Sequence, residues 1–322
     1  MKNNTGLLAR QYRDENAARA HIEKTRWPDG PVCPHCGIIN EATKLEPREG
    51  SKNGVRKGVW QCNSCRKQFT ITVGTIFEDS HIPLHKWLLA IHLMCSSKKG
   101  MSAHQLMRNL EIGSYRTAWF MAHRIRWALT QDPIKEALGG IVEVDETYIG
   151  GKLRTGSQSI KPGERPKDHP SGTANKAAVV AVLQRGGPVR SHHVECVTAK
   201  NLKPIVKGMV KKDVHLMTDS SNVLASAAMG LKHDQVNHSA HEYARREKGV
   251  LISTNSVESY FAIVKRGHFG VYHHWSKKYL PQYLREFDWR YNVRTAPDIE
   301  RTVLLMKSVG GKRLYLKPPK TR

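Results

Sequence analysis

The sequence predicts an α/β domain with helices around a mixed sheet, preceded by a small cysteine-bearing β module and a helical region. Three observations carry this. Two Cys-x-x-Cys pairs sit in a glycine-punctuated, strand-like stretch between residues 31 and 75. Between Pro83 and Leu129 apolar residues recur at helical spacing. From Ile141 the period shortens to that of strands, in IVEVDETYIG, AAVVAVLQRG, SHHVECVT and VHLMTD, with helical segments between and after them.

A chain of 322 residues has room for two or three domains, and 39% hydrophobic with 25% charged residues describes a folded protein. Lysine and arginine outnumber aspartate and glutamate by 52 to 28, a formal charge of +24. Such an excess neutralises phosphates and releases counterions, which ranks nucleic acid above anionic lipid or plain solubility as the explanation. The segment MKNNTGLLARQYRDENAARA lacks the apolar core of a secretory signal. The longest apolar stretch, Trp87 to Cys95, contains a histidine and falls well short of the ~18 residues of a membrane span. With paired cysteines, this leads to the expectation of no membrane span and a reducing, cytoplasmic setting beside the nucleoid.

The elements follow in order. Residues 1–30 carry a helix around Ala17 to Ile22, closed by the breakers Trp27-Pro28-Asp29-Gly30. Residues 31–80 form the β module, with strands at Val59-Trp60-Gln61 and Gln68-Phe69-Thr70-Ile71. In residues 81–132 LHKWLLAIHLM reads as a helix, Ser102 and Gln105 have capping-box spacing, and Gly113-Ser114 make a turn and cap. Beyond it Ala118, Met121, Ala122, Ile125 and Leu129 mark an apolar stripe that leaves Arg116, His123, Arg124 and Arg126 mostly to one side. Two helices around a tight turn predict a helix-turn-helix, its basic helix docking in a major groove through Arg116, Arg124 and Arg126. Residues 138–296 are the α/β domain, interrupted from Leu153 to Lys176 by a basic, glycine- and proline-rich loop. Residues 297–322 are expected to be a basic tail, extended at Pro318-Pro319.

Cys33-Pro-His-Cys36 and Cys62-Asn-Ser-Cys65 are 25 residues apart. In each pair the two-residue spacer reverses the chain so that both sulfurs point inward, and two such knuckles present four thiolates to one Zn²⁺. Cys95 and Cys196 read as small core residues.

Two-metal phosphoryl transfer needs two or three carboxylates drawn from distant segments. Asp145 lies mid-strand, Asp219 ends VHLMTD, and Glu258 lies one turn into NSVESYFAIVKR, with 73 and 38 residues between them. Each also has a plainer reading: Asp145 as a surface acid beside Glu143 and Glu146, Asp219 as a helix N-cap, and Asn255 with Glu258 as a capping box. His238 and His241, and Trp119, Trp127, Trp275 and Trp289, are assigned to structure and packing.

VEVDETYIGGK, HLMTDSS and TNSVESYFAIVKRG, in this order and spacing, together with CPHCG, QCNSCRKQFT and GTIFEDSHIPLHKW, resemble the ISXO-type branch of the DDE superfamily of insertion-sequence transposases, over roughly Trp27 to Arg294. The resemblance implies a ribonuclease-H-like fold that sets Asp145 and Asp219 side by side, and Mg²⁺ or Mn²⁺ as the catalytic ion. A later helix would supply the third ligand, Glu258, or Asn255, since asparagine can stand at that place in this branch. Lys265, seven residues beyond Glu258, shares nearly its helix face and suits a DNA phosphate near the cut, with Arg266 beside it. The implied activity is metal-dependent cleavage and joining of DNA at the element's terminal inverted repeats and a target site, by a homodimer or larger oligomer. A DNA-binding regulator without catalysis, or a nuclease that cuts without joining, would use the same sequence features.

Overall fold

The computed structural model describes residues 6–46, 55–129, 136–150, 176–311 and 314, and the chain divides into two compact units. One comprises residues 1–97, 101–131 and 295–322, the other 98–100 and 132–294.

In the first unit, α1 (Glu15–Arg26) starts where the Asp14 side chain accepts from the Ala17 N–H at 2.7 Å, and it buries Ala18 and Ile22. Trp27 ends this helix and sets its ring edge-on to Trp60 and Phe69. Those aromatics belong to an antiparallel sheet, β1 (Ala42–Leu45), β2 (Val59–Cys62) and β3 (Gln68–Thr70). After it come α2 (Leu84–Ser96), α3 (Ala103–Asn109) and α4 (Tyr115–Ala128). Ser102 caps α3 by accepting from the Gln105 N–H at 3.2 Å, as its spacing predicts. The α3–turn–α4 pair has the expected order.

The second unit is built on a five-stranded sheet. Its strands are β4 (Ile141–Ile149), β5 (Ala177–Gln184), β6 (Val189–Val194), β7 (His215–Asp219) and β8 (Lys232–Val236), and their spatial order is β6-β5-β4-β7-β8. The first three run antiparallel to one another, while β7 and β8 run parallel to β4. This is the mixed sheet of a ribonuclease-H-like domain. A run such as AAVVAVLQ, buried along nearly its whole length, belongs to a strand covered on both faces. On one face Val142, Val144, Val180 and Val182 pack with α5 (Ala199–Met209) and α6 (Asn222–Ala227). On the other, Val179, Ala181 and Leu183 pack with α7 (Asn255–Gly267) and α8 (Leu280–Asn292). Between β8 and α7 lies a hairpin, β9 (Ala244–Glu247) and β10 (Val250–Ser253).

The chain then makes α9 (Asp298–Lys307), part of the first unit, which buries Thr302, Leu305 and Met306. Its Thr302 hydroxyl lies 3.0 Å from His92 Nδ1 on α2. The basic tail expected from residue 297 is therefore a packed helix over its first part, because DIERTVLLMK carries apolar residues at helical spacing. Of the stretch beyond it, residues 312, 313 and 315–322 lie outside the described residues, as does the predicted basic loop apart from Lys176. No helix among the described residues is long and apolar enough to cross a membrane.

Candidate metal centres

The four thiols of the first unit converge. Each knuckle turns through a left-handed residue directly after its second cysteine, Gly37 at φ +80° and Arg66 at φ +60°. The N–H of Gly37 and that of Arg66 donate to the carbonyls of Cys33 and Cys62 at 2.9 and 3.0 Å. All four sulfurs lie within 4.8 Å of one another, and the pairs Cys33–Cys65 and Cys36–Cys62 are 3.7 Å apart. Tetrahedral zinc with bonds of about 2.3 Å requires sulfur–sulfur distances of about 3.8 Å, so the cluster fits that ion. Burial resists ionisation of Cys33, but the N–H groups of Cys36 and His35 and the adjacent thiols outweigh it and bring Cys33 down to about 6. Cys36 has the Ile38 N–H in its favour, yet desolvation and the other sulfurs push it up to about 12. One thiolate forms readily and the next is resisted, so a set of four calls for a dication. Of the two remaining cysteines, Cys95 is buried as expected, whereas Cys196 lies beyond the end of β6 and is exposed.

In the second unit the acids come from strand ends and one helix. β4 and β7 pair in parallel with Glu143 opposite Met217, and continuing that register sets Asp145 level with Asp219 on the same face. That face carries α7. Asp145 is pushed up to about 7, foremost by burial and then by Asp219, Glu146 and Glu258. Glu146 is raised as well, by burial and by Asp219. Among the described residues its buried Oε2 has no hydrogen-bond partner. A half-buried group of acids that resist ionising beside one another, with an unsatisfied oxygen among them, suits a hard divalent cation. The acidic oxygens do not crowd as the sulfurs do, for among the described residues only the cysteines form a set of three or more ligand atoms all within 4.8 Å.

The helix-cap readings of these acids do not hold. Thr254 is the N-cap of α7 and Asn255 its first residue, exposed. Ser221 is the N-cap of α6, and Asp219 only accepts from its N–H at 3.0 Å. The first turn of α7 is satisfied from the sheet: Glu143, wholly buried, accepts from Ser256 N–H at 2.8 Å and Val257 N–H at 3.0 Å. Arg185 Nε donates to the same carboxylate at 2.8 Å and ties in β10 through the carbonyls of Leu251 and Ser253. This anchor fixes the helix bearing Glu258 against the strand bearing Asp145. From the sequence alone Glu143 receives no role of its own. Its position on the face of Asp145, two residues earlier in a buried strand, was the available signal. Replacing Glu143 by alanine leaves Arg185 and two N–H groups without their acceptor and should cost about 3 kcal/mol, measured by urea unfolding. A loss below about 0.5 kcal/mol would remove the anchor from the account.

The basic residues divide. Lys265 and Arg266 on α7 and Arg116 at the start of α4 are exposed. Arg124 and Arg126 are buried, at 5% and 2% exposure. Arg124 donates to the Glu78 carbonyl and lies over the rings of Trp87 and Phe120. The expectation that these two arginines face a DNA groove is corrected, because α4 is buried nearly all round from Met121 to Arg126 and has no solvent stripe there. His238, assigned to structure from sequence, has its ring against Glu258.

Comparison with known proteins agrees with this layout. The ISXO2-like transposase domain matches residues 137–292 and the transposase zinc-ribbon domain residues 13–68. A protein of Halobacterium salinarum described as an uncharacterized protein in transposable element ISH50 is 26% identical over 304 residues, 90% of this chain and 96% of its own. A chain in the crystal structure of a pre-cleavage Mos1 transpososome aligns over 67% of this chain and 76% of its own, at 15% identity and a TM-score of 0.25, too slight a likeness to argue from. With both matches in order along one chain, the protein carries an ISXO2-like transposase domain behind a transposase zinc-ribbon domain.

Proposed function

We propose that the chain binds the terminal inverted repeats of its insertion sequence and catalyses cleavage and strand transfer of DNA by metal-dependent, in-line phosphoryl transfer. The observation that supports this best is the setting of Asp145: burial first, then Asp219 on the same sheet face, the adjacent Glu146, and Glu258 on the helix packed over that face, raise the cost of its ionisation. In this reading Asp145 and Asp219 hold Mg²⁺ or Mn²⁺ through carboxylate oxygens. Glu258 is the third ligand ahead of Asn255, since its charge reaches Asp145. The bound ions would activate water or a 3′-hydroxyl and stabilise the leaving oxygen.

The protein's own part is to align the strand. Lys265 and Arg266 are assigned to phosphates near the cut and Arg116 to phosphate or base edge at the α3–α4 pair. The four cysteines hold a structural Zn²⁺, which keeps the ribbon folded as a second DNA contact. Two element ends must be brought together, so a homodimer or larger assembly on DNA is expected.

The test is incubation with candidate element ends and a supercoiled target plasmid, with Mg²⁺, with Mn²⁺, or with no added divalent ion. Joined products that require the added ion are expected. Cleavage without joining would point to a nuclease, and bound but uncut DNA with every end would point to a regulator.

A further inference from the structure

One oxygen of the Glu258 carboxylate is held by a hydroxyl donor and lies beside an imidazole. Oε1 accepts from the Thr254 hydroxyl at 2.8 Å and lies 3.0 Å from His238 Nε2. The same nitrogen is hydrogen-bonded to Thr254 Oγ1 at 3.2 Å, so imidazole, hydroxyl and carboxylate form one relay. The hydroxyl thus accepts from the imidazole and donates to Oε1, and with the imidazole edge directly beside it the carboxylate cannot turn about its last bond without losing the Thr254 bond and the His238 contact. Oε2 has no donor among the described residues and is the oxygen left to bind something else.

The imidazole is itself fixed. His238 lies two residues beyond β8, whose last residue, Val236, is the register partner of Asp219. The turn after it is closed by Asn237, whose side chain accepts from the Ala240 N–H at 3.2 Å. Asn237 in turn donates its N–H to Glu242 at 3.1 Å, and the ring of Tyr243 lies 5.6 Å from the imidazole. His238 thus bridges from the strand beside Asp219 to the helix that carries Glu258. Thr254, fully buried at the start of that helix, completes the clamp.

A contribution to stability does not account for the contact. The side chains of His238 and Glu258 are 32% and 42% exposed. Ion pairs that open to water contribute little to folding. What the contact fixes is an orientation, as outer partners do for the carboxylates that hold metals.

We propose that His238 is a positioning residue that, with Thr254, holds Glu258 so that Oε2 is presented to a divalent cation shared with Asp145 and Asp219. This rests on Glu258 being a ligand, as read above. The role is geometric and needs only that Nε2 carry a hydrogen, which either charge state of the ring allows.

The test is titration of the full-length, zinc-loaded protein with Mn²⁺, reading free Mn²⁺ by electron paramagnetic resonance, without DNA or turnover. His238→Ala should weaken Mn²⁺ binding about 10- to 100-fold, with thermal unfolding unchanged. His238→Gln, whose amide nitrogen reaches about as far as Nε2, should restore most of the affinity. If His238→Ala binds like the wild type while Glu258→Ala binds weakly, the clamp is overturned and the catalytic reading stands. A His238→Gln variant as weak as His238→Ala overturns it too. If Glu258→Ala and Asp145→Ala both bind Mn²⁺ normally, the carboxylate site and the clamp fail together.

Discussion

Asp145→Asn is expected to lower metal-dependent DNA cleavage by about a thousandfold or more while leaving DNA binding intact, since a lost ligand removes several kcal/mol of transition-state charge stabilisation. The same substitution should stabilise the metal-free protein at pH 8. Asp145 ionises at about 7 in the fold, above its ordinary 3.8, chiefly because it is buried and then because Asp219, Glu146 and Glu258 are near. A carboxyl raised in this way contributes stability that is complete below about pH 4 and lost as pH climbs through about 7. Beyond that the fold carries an ionised, half-buried aspartate, which asparagine replaces with a neutral group of the same shape. Melting temperatures taken without added divalent ions should therefore be alike for both proteins below about pH 4, diverge as the pH rises, and be clearly higher for Asp145→Asn at pH 8. Adding Mn²⁺ should close the gap by raising the wild type alone. Equal melting temperatures at pH 8 would mean that Asp145 is not held among other acids, and cleavage by Asp145→Asn at the wild-type rate would remove it from the site.

This behaviour depends on residues that were unequally legible in the sequence. Asp145 and Asp219 could be picked out because each ends or interrupts an apolar strand, where a carboxylate has few uses other than a site. The knuckles were legible because two Cys-x-x-Cys spacings encode a local turn, and local geometry survives without knowledge of the fold. The partners of Glu258 were not, since the contact between His238 and a carboxylate twenty residues later exists only after β8 and α7 have been placed. Arg124 and Arg126 misled for a related reason. A helical-wheel argument assumes one buried face, and α4 is enclosed on nearly every side along its second half, where a guanidinium lies over aromatic rings and bonds a carbonyl. The strands β8 and β9 escaped notice because KHDQV and ARRE carry one apolar residue each, at an end, and show no alternation. Strand pairing supplied what hydrophobicity did not.

Zinc removal should have the largest effect on folding, and it should be confined to one part of the chain. Among the described residues the ribbon's hydrophobic cluster is small, with Cys33, Cys62 and Phe69 buried and Trp27, Trp60 and a few other partly buried side chains around them. Three short strands over so small a core cannot offset the entropy of ordering the chain without a cross-link. A structural zinc site is worth about 10–16 kcal/mol in isolated fingers, more than the stability of most domains. Treatment with a zinc chelator, or Cys62→Ser, should therefore release the amide protection of Val59–Cys62 and Gln68–Thr70 in hydrogen exchange, while β4 and β5 keep theirs. Zn²⁺ should restore the chelated protein and Mg²⁺ should not, because soft thiolates select the former and hard carboxylates suit the latter. The converse should hold at the other centre, with Asp145→Asn leaving ribbon protection unchanged. Loss of protection in β4 and β5 along with the ribbon would show that zinc supports the catalytic unit as well, and would make the two metals one system rather than two.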